Sequence, residues 1–194
     1  MNRLEEAVRP FLCSMISGKS NVVLDEHKAT SLTAWIYKIM LLFDLSGPAE
    51  YRRFRRAHYQ SFYEEQKPPS RSLVTWLASY TGSMLSTATD RSLIFTGHGV
   101  EAVAATFSLG HSVFQLLFYD AHRLPVPGMW IPHTPPSWAD CLALLWPILG
   151  TPVRHTPRFR LAWPPPRILN DGGLIDLRNL WDHPPVDIRG LHLT

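Results

Sequence analysis

The sequence is poor in cysteine, and its two cysteines are far apart. Cys13 and Cys141 are the only thiols in 194 residues. Two thiols cannot form a disulfide framework, and without ligands at short spacing they cannot form a structural zinc site. A reducing cytoplasm fits this cysteine usage best. The acids Glu5 and Glu6 interrupt the segment in which a signal peptide needs an apolar core, so the sequence does not indicate secretion.

Charged residues are also scarce. They make up 18% of the chain, below the usual quarter, whereas seven tryptophans and 11% aromatic residues are present. Much of the surface must then be apolar, proline-rich or covered by a partner. We expect a protein partner or a second copy of the chain to cover part of the N-terminal apolar face. The net charge of +3 is weak evidence for nucleic acid by itself.

The sequence lacks an uninterrupted apolar run long enough to cross a membrane. Its most apolar stretch, Val100 to Tyr119, contains Glu101, His111 and Gln115. Gly110 and His111 stand at the middle, between two runs rich in strand-forming residues. This pattern predicts a buried β-hairpin with a tight turn and no membrane partner.

Residues 1–67 are predicted to form a layer of three helices. Apolar residues recur at helical spacing from Leu4 to Met15, and Pro10 either kinks this first helix or starts another. A second helix is predicted from about Ala29 to Leu45. Pro48 is placed as the first residue of a third helix that ends at Lys67-Pro68-Pro69. In the second helix, one apolar stripe is expected, formed by Leu32, Trp35, Ile36, Ile39, Met40 and Phe43.

Residues 70–120 are predicted to form an antiparallel sheet. The hydrophobic period changes to two, and the strands expected are Leu73 to Tyr80, Ser92 to Thr96, Ala102 to Leu109 and Ser112 to Tyr119. These four strands suggest a meander.

Residues 121–194 are predicted to wrap over that sheet. Thirteen of the 17 prolines follow Leu124 and alternate with aromatic residues. A capping box at Ser137 and Asp140 predicts a short helix through Leu142 and Leu145. An edge strand is expected from Arg158 to Trp163, and a last helix capped by Asp171 and passing through Leu174, Leu177 and Leu180. The whole chain is thus predicted to be one α+β domain.

The strongest functional signal is a cluster of four arginines in the predicted third helix. Four guanidinium groups within five residues exceed what the nearby acids Glu50, Glu64 and Glu65 can neutralise, so they are candidates for bidentate contacts with phosphates. A solvated helix face is the alternative. The predicted nucleic-acid-binding residues are Arg52, Arg53, Arg55 and Arg56, with Lys38 and Arg71 nearby and Lys67 as a further candidate.

Other chemistries have weaker signals. His98, His111 and His122 lie on or beside predicted strands, but none has a second ligand at the spacing of a zinc motif, so no metal or other cofactor is predicted. Ser112 follows a possible tight turn yet lacks the second glycine of a nucleophile elbow, which leaves a hydrolase as a remote alternative. Asp171, Asp176, Asp182 and Asp187 are scattered carboxylates. Two Trp-Pro pairs are interpreted as loop anchors in preference to base-stacking groups, namely Trp146-Pro147 and Trp163-Pro164.

The chain opens with Met1-Asn2-Arg3-Leu4-Glu5 and later contains Ala34-Trp35-Ile36-Tyr37-Lys38. Together with other short elements along most of the chain, these residues resemble the region that follows the metal-binding module in bacterial and phage HNH-endonuclease-like proteins. The remaining elements are Val8 to Leu12, Met15 to Gly18, Pro68-Pro69, Trp76-Leu77-Ala78, Ala105 to His111 with Gln115, Trp146-Pro147 and Trp163-Pro164-Pro165.

This resemblance implies a role in nuclease systems without a catalytic motif in these residues. In such proteins the HNH module binds the metal that activates water for phosphodiester cleavage, and it would lie upstream of Met1. The chain would then be a stand-alone relative or the product of a gene start placed at an internal Met. We therefore expect a non-catalytic accessory module that holds DNA or a protein partner. The alternative is a stand-alone protein-interaction subunit.

Overall fold

The computed structural model of the chain describes residues 3–19, 21–69, 72–95, 100–119, 136–146 and 160–180. It contains four α-helices, seven strands and two short 3-10 turns within these ranges. The α-helices are α1 (Arg3–Ile16), α2 (Glu26–Ser46), α3 (Arg56–Glu65) and α4 (Asp171–Asn179). The 3-10 turns span Ala49–Tyr51 and Pro136–Trp138.

The strands form two antiparallel sheets. They are β1 (Val22–Asp25), β2 (Leu73–Ser79), β3 (Ser86–Phe95), β4 (Val100–Leu109), β5 (Ser112–Tyr119), β6 (Ala143–Trp146) and β7 (Arg160–Trp163). The main sheet has the order β3-β4-β5-β2-β6, and β1 pairs with β7 in a separate ribbon. The predicted α+β class and antiparallel meander are confirmed: β3, β4 and β5 follow one another in the sheet, and β2 lies beside β5.

The predicted hairpin at Gly110 and His111 is present. Leu109 pairs with Ser112, so the turn between β4 and β5 contains only two residues. Gly110 has a φ of +54°, and a Cβ atom there would lie 2.3 Å from the carbonyl oxygen of Ile16. A side chain at this position would therefore meet both backbone strain and a collision with the end of α1.

Both faces of the main sheet are covered, which explains why β2 and β5 are buried along their whole length. Helices α1 and α2 pack on one face, where Leu77, Phe114 and Leu116 point. Helix α4 and the Cys141-Leu142 segment cover the other face, where Trp76 and Leu117 point. Of the described C-terminal elements, α4 thus lies over the sheet as predicted for a wrap, whereas β6 joins the edge of the main sheet and β7 pairs with β1.

Two local predictions in these elements are wrong, and one strand was missed. Residues 137–146 form a 3-10 turn and strand β6, not a helix, because the backbone of β6 pairs with Thr75, Trp76 and Leu77 of β2. Strand β1 was not predicted at all; its partner β7 is distant in sequence. The cap of α4 is Asn170, whose side chain accepts the Gly173 N–H at 2.9 Å, and Asp171 is the first helical residue.

Helices α1 and α2 agree with the sequence pattern with small differences. Helix α1 runs through Pro10 without a break. Helix α2 begins earlier than predicted because the Asp25 carboxylate accepts the Lys28 N–H at 2.9 Å and caps it. Phe43 departs from the predicted apolar stripe, since 53% of its surface is exposed.

Parts of some predicted elements lie outside the described residues. These are Thr96 and residues 121–135, 147–159 and 181–194 of the predicted wrap. Within the described residues, no helix is both long enough and apolar enough to cross a bilayer.

Candidate nucleic-acid interface

Residues 52–56, called here the basic segment, do not form the single helix predicted from Pro48. The 3-10 turn ends at Tyr51, Arg52 and Arg55 have extended backbone, and α3 starts only at Arg56. The prediction failed because a contact from another helix takes the backbone N–H groups that a continuous helix would use.

That contact comes from Asp44, near the C-terminal end of α2. Its Oδ1 atom accepts the N–H of Arg53 at 2.9 Å, and its Oδ2 atom accepts the N–H of Phe54 at 3.3 Å. The hydroxyl of Tyr59 on α3 donates to the same carboxylate. Burial, followed by this hydrogen bond to Asp44, raises the pKa of Tyr59. One carboxylate therefore joins α2, the basic segment and α3.

Phe54 anchors the segment to the core. The side chain is buried, and its ring centroid lies 4.8 Å from that of Phe118 on β5 and 6.1 Å from that of Tyr37 on α2. Because Phe54 turns inward, its neighbours turn outward: Arg52 and Arg55 are exposed, and Arg53 is half-buried. The backbone is held in place while the arginines remain accessible.

The segment leads directly into the N-terminus of α3. Nδ1 of His58 accepts the N–H of Arg55 at 3.1 Å, which satisfies a backbone donor at the start of the helix. No acidic residue occupies the first turn, and the exposed Arg56 is its first residue. The positive end of the helix dipole thus coincides with the arginine side chains, an arrangement that favours anions.

The other predicted binding residues have different outcomes. Lys38 on α2 forms an ion pair with Glu5 of α1 and so joins those two helices. Arg71 lies outside the described residues. Lys67 is exposed beyond the end of α3. Arg52 was predicted on the third helix but lies in the extended backbone before α3, and its Nη2 donates to the Leu45 carbonyl at 3.4 Å.

A cleft of about 220 Å³ lies beside the basic segment. Met40, Phe43 and Asp44 of α2 line it together with Phe54, and Ala105 and Phe107 of β4 face them. Asp44 and Phe54 therefore belong both to the cleft and to the structure that holds the arginines.

The apolar face of α1 is buried within the chain. Its residues Leu4, Val8, Phe11, Leu12 and Met15 pack against the rest of the core. Exposed apolar side chains are found instead near the end of α2, where Leu42, Phe43 and Leu45 are 49%, 53% and 42% exposed.

Sequence reasoning missed Asp44, although it carried a signal. An acidic side chain in the last turn of a helix opposes the helix dipole, and α2 has no basic residue there. Such a residue indicates a role outside its own helix. Phe43 was missed because it matches the apolar spacing of α2 and was assigned to the core.

Of the histidine and serine candidates, His111 and Ser112 lie within the described residues. Nδ1 of His111 lies 2.9 Å from the carbonyl oxygen of Tyr80, and the Ser112 side chain is fully buried. This geometry offers Ser112 no access to a substrate, so it does not support the hydrolase alternative. His98 and His122 lie outside the described residues, among which no group of three or more His, Cys, Asp or Glu could hold a metal ion.

The structure describes two of the four acidic candidates and both tryptophans. Asp171 accepts hydrogen bonds from Tyr80 and Ser83, and Asp176 is exposed on α4. Asp182 and Asp187 lie outside the described residues. Nε1 of Trp146 donates to the Pro69 carbonyl at 3.1 Å, and Trp163 is buried in the core. Both tryptophans are held by contacts within the chain, but they lie in strands β6 and β7 and not in loops as predicted.

Comparison with known proteins does not identify a family. No protein-family model, curated protein or solved structure matches the chain. The resemblance to the region after the HNH module stays a prediction.

Proposed function

We propose that this chain is a non-catalytic module that binds nucleic acid by its phosphate backbone. The observation that carries the proposal is the basic segment, which concentrates four arginines at the N-terminus of α3 and is held there by Asp44 and Phe54. Guanidinium groups form bidentate hydrogen bonds with phosphate oxygens. Preorganised arginines lose less conformational entropy when they bind than arginines on a flexible loop.

The resemblance to HNH-endonuclease-like proteins supports DNA as the nucleic acid and an accessory role in a nuclease system. The free thiols of Cys13 and Cys141 are compatible with a cytoplasmic setting. Phosphate contacts position a protein on DNA without reading its sequence. The proposed module therefore binds with little sequence preference.

The test replaces the three exposed arginines of the segment. We expect R52A/R55A/R56A to bind labelled DNA roughly 10- to 100-fold more weakly than the wild type at low salt, because phosphate contacts are lost. The matched control is R3A/R9A/K19A, which removes three exposed charges at α1 and just beyond it. Both variants change the net charge from +3 to 0. Fluorescence anisotropy measures the affinities, and equal losses in the two variants would count against the proposed site.

A plasmid-nicking assay tests the non-catalytic part of the proposal. We expect no cleavage with added Mg²⁺ or Mn²⁺. A metal-dependent cut that purifies with the chain would contradict it.

A protein-interaction subunit is the second candidate. It is favoured by the half-exposed apolar residues Leu42, Phe43 and Leu45 at the end of α2. Assembly that is insensitive to salt and lost in L42S/L45S would support this candidate.

A further inference from the structure

We propose that the nucleic acid bound by the basic segment is single-stranded, with one unstacked base seated in the cleft against Phe43. This inference rests on the proposed function and adds the form of the nucleic acid and the residue that contacts a base.

The first observation is that exposed aromatic rings flank the arginines. Phe43 directly precedes Asp44 and is 53% exposed, while Tyr51 directly precedes Arg52 and is 71% exposed. Rings next to arginines are the usual elements of single-strand binding, because bases stack on aromatic side chains while guanidinium groups hold the phosphates. A double helix keeps its bases stacked on each other and offers no base face to such rings.

The second observation is the size and position of the cleft. Its volume of about 220 Å³ lies below the roughly 300–1,000 Å³ of pockets for drug-sized ligands. At about 30 Å³ for each water molecule, it holds the equivalent of about seven waters, which suits one planar base. Phe54 lines this cleft from the middle of the basic segment, and Arg53 and Arg55 adjoin Phe54 in the chain.

The third observation is the charge and polarity around the cleft. Its walls are mostly apolar side chains, including Met40 and Phe107, and the Asp44 carboxylate is a hydrogen-bond acceptor on one wall. The basic segment reaches the cleft through Phe54, and α3, with the positive end of its dipole, begins two residues later at Arg56. A nucleic-acid strand combines anionic phosphates with apolar base faces, so it is complementary to a basic segment beside an apolar cleft. An apolar peptide carries no charge that matches the segment.

The experiment compares three labelled probes of equal phosphate number: a single-stranded oligothymidine, an abasic single strand and a duplex. We expect the oligothymidine to bind at least about 10-fold more tightly than the abasic strand, since stacking on aromatic side chains contributes about 1–3 kcal/mol per base. We also expect the duplex to bind more weakly than the oligothymidine.

The matched variants are F43A and L42A. These neighbouring residues are similarly exposed, but only Phe43 lines the cleft. We expect F43A to bind oligothymidine roughly 10-fold more weakly and to bind the abasic strand like the wild type. We expect L42A to leave both affinities unchanged. Circular dichroism verifies that both variants fold.

The outcomes separate this inference from the proposed function. If the abasic strand and the duplex bind as well as oligothymidine and F43A has no effect, while R52A/R55A/R56A still loses binding, the base site is wrong and the phosphate-binding function stands. If no probe binds, both fail. If no probe binds and F43A instead abolishes self-association, the patch belongs to a protein interface and both proposals are overturned.

Discussion

Asp44 combines two tasks that are usually performed by different side chains. It occupies the last turn of α2, where its charge opposes the helix dipole, and it accepts two backbone N–H groups of the basic segment as well as the Tyr59 hydroxyl. Hydrogen bonds to a charged group are stronger than those between neutral groups. The backbone geometry of the basic segment therefore depends on an acidic residue of another helix.

The Asp44→Asn substitution tests this dependence. Either orientation of the new amide replaces one accepting oxygen with an NH₂ group, and a donor would face a donor. We expect a loss of about 1–3 kcal/mol in the free energy of unfolding, measured by urea denaturation. Asp176→Asn, on the exposed face of α4, is the control and should change stability by less than about 0.5 kcal/mol.

The Asp44→Asn variant also distinguishes two effects of Asp44 on nucleic-acid binding: its anchoring of the basic segment and its negative charge. Asp44→Asn makes the chain more positive by one unit, so simple electrostatics predicts tighter nucleic-acid binding. If Asp44 holds the arginines in place, binding weakens instead. Tighter binding by D44N than by D176N would show that the ordered backbone of the segment is unimportant.

Helix α4 is joined to the connection between β2 and β3 by one cluster of hydrogen bonds. The Asp171 carboxylate accepts the hydroxyl of Tyr80 and both the N–H and the hydroxyl of Ser83. Gly82 allows this approach, because a Cβ atom there would lie 2.2 Å from both the Asp171 carboxylate and the Tyr80 hydroxyl. The hydrogen bonds from Tyr80 and then Ser83 lower the pKa of Asp171 below its usual 3.8.

This pKa shift makes the docking of α4 sensitive to acid. A carboxyl group with a lowered pKa in the folded state stabilises the fold above its unfolded pKa, and this stability is lost as the pH falls through the folded value. We expect wild type to have a higher melting temperature than Asp171→Asn at neutral pH, and the difference to shrink once the pH falls below 3.8. Thermal denaturation across this pH range measures it. A difference that stays constant would show that the Asp171 charge does not contribute.

Elements with a local signal were predictable, and elements that depend on distant partners were not. The apolar spacing of α2 and the Gly110 turn are properties of adjacent residues, and both predictions are confirmed. Strand β6 was assigned as a helix because its capping-box pattern is local, whereas its pairing with β2 is not. Pairing across the sheet overrode the local preference.

The candidate site also combines features with a local sequence signal and features that depend on distant residues. The four arginines were visible in the sequence, but their placement outside a helix depends on Asp44, which lies in another helix. The cleft was not predictable, since α2 and β4 meet only in the folded chain. Composition could indicate a basic cluster; it could not indicate which neighbours hold it or which aromatic rings remain exposed beside it.

The molecule as a whole carries a net charge of only +3, so general basicity is a poor explanation for nucleic-acid binding. In our account the affinity comes from one local concentration of positive charge on an α+β core whose sheet is covered on both faces. The two faces of the sheet are covered by α1 and α2 on one side and by α4 on the other. The basic segment and its cleft lie at the end of the α2 layer.

The salt dependence of binding tests this account most directly. We expect log Kobs to fall linearly with log salt concentration for duplex DNA, and the slope of R52A/R55A/R56A to be smaller in magnitude than that of the wild type by about 2–3, at roughly 0.9 for each lost phosphate contact. The slope of R3A/R9A/K19A should match that of the wild type. Equal slopes for all three proteins would contradict the claim that the basic segment holds the phosphates.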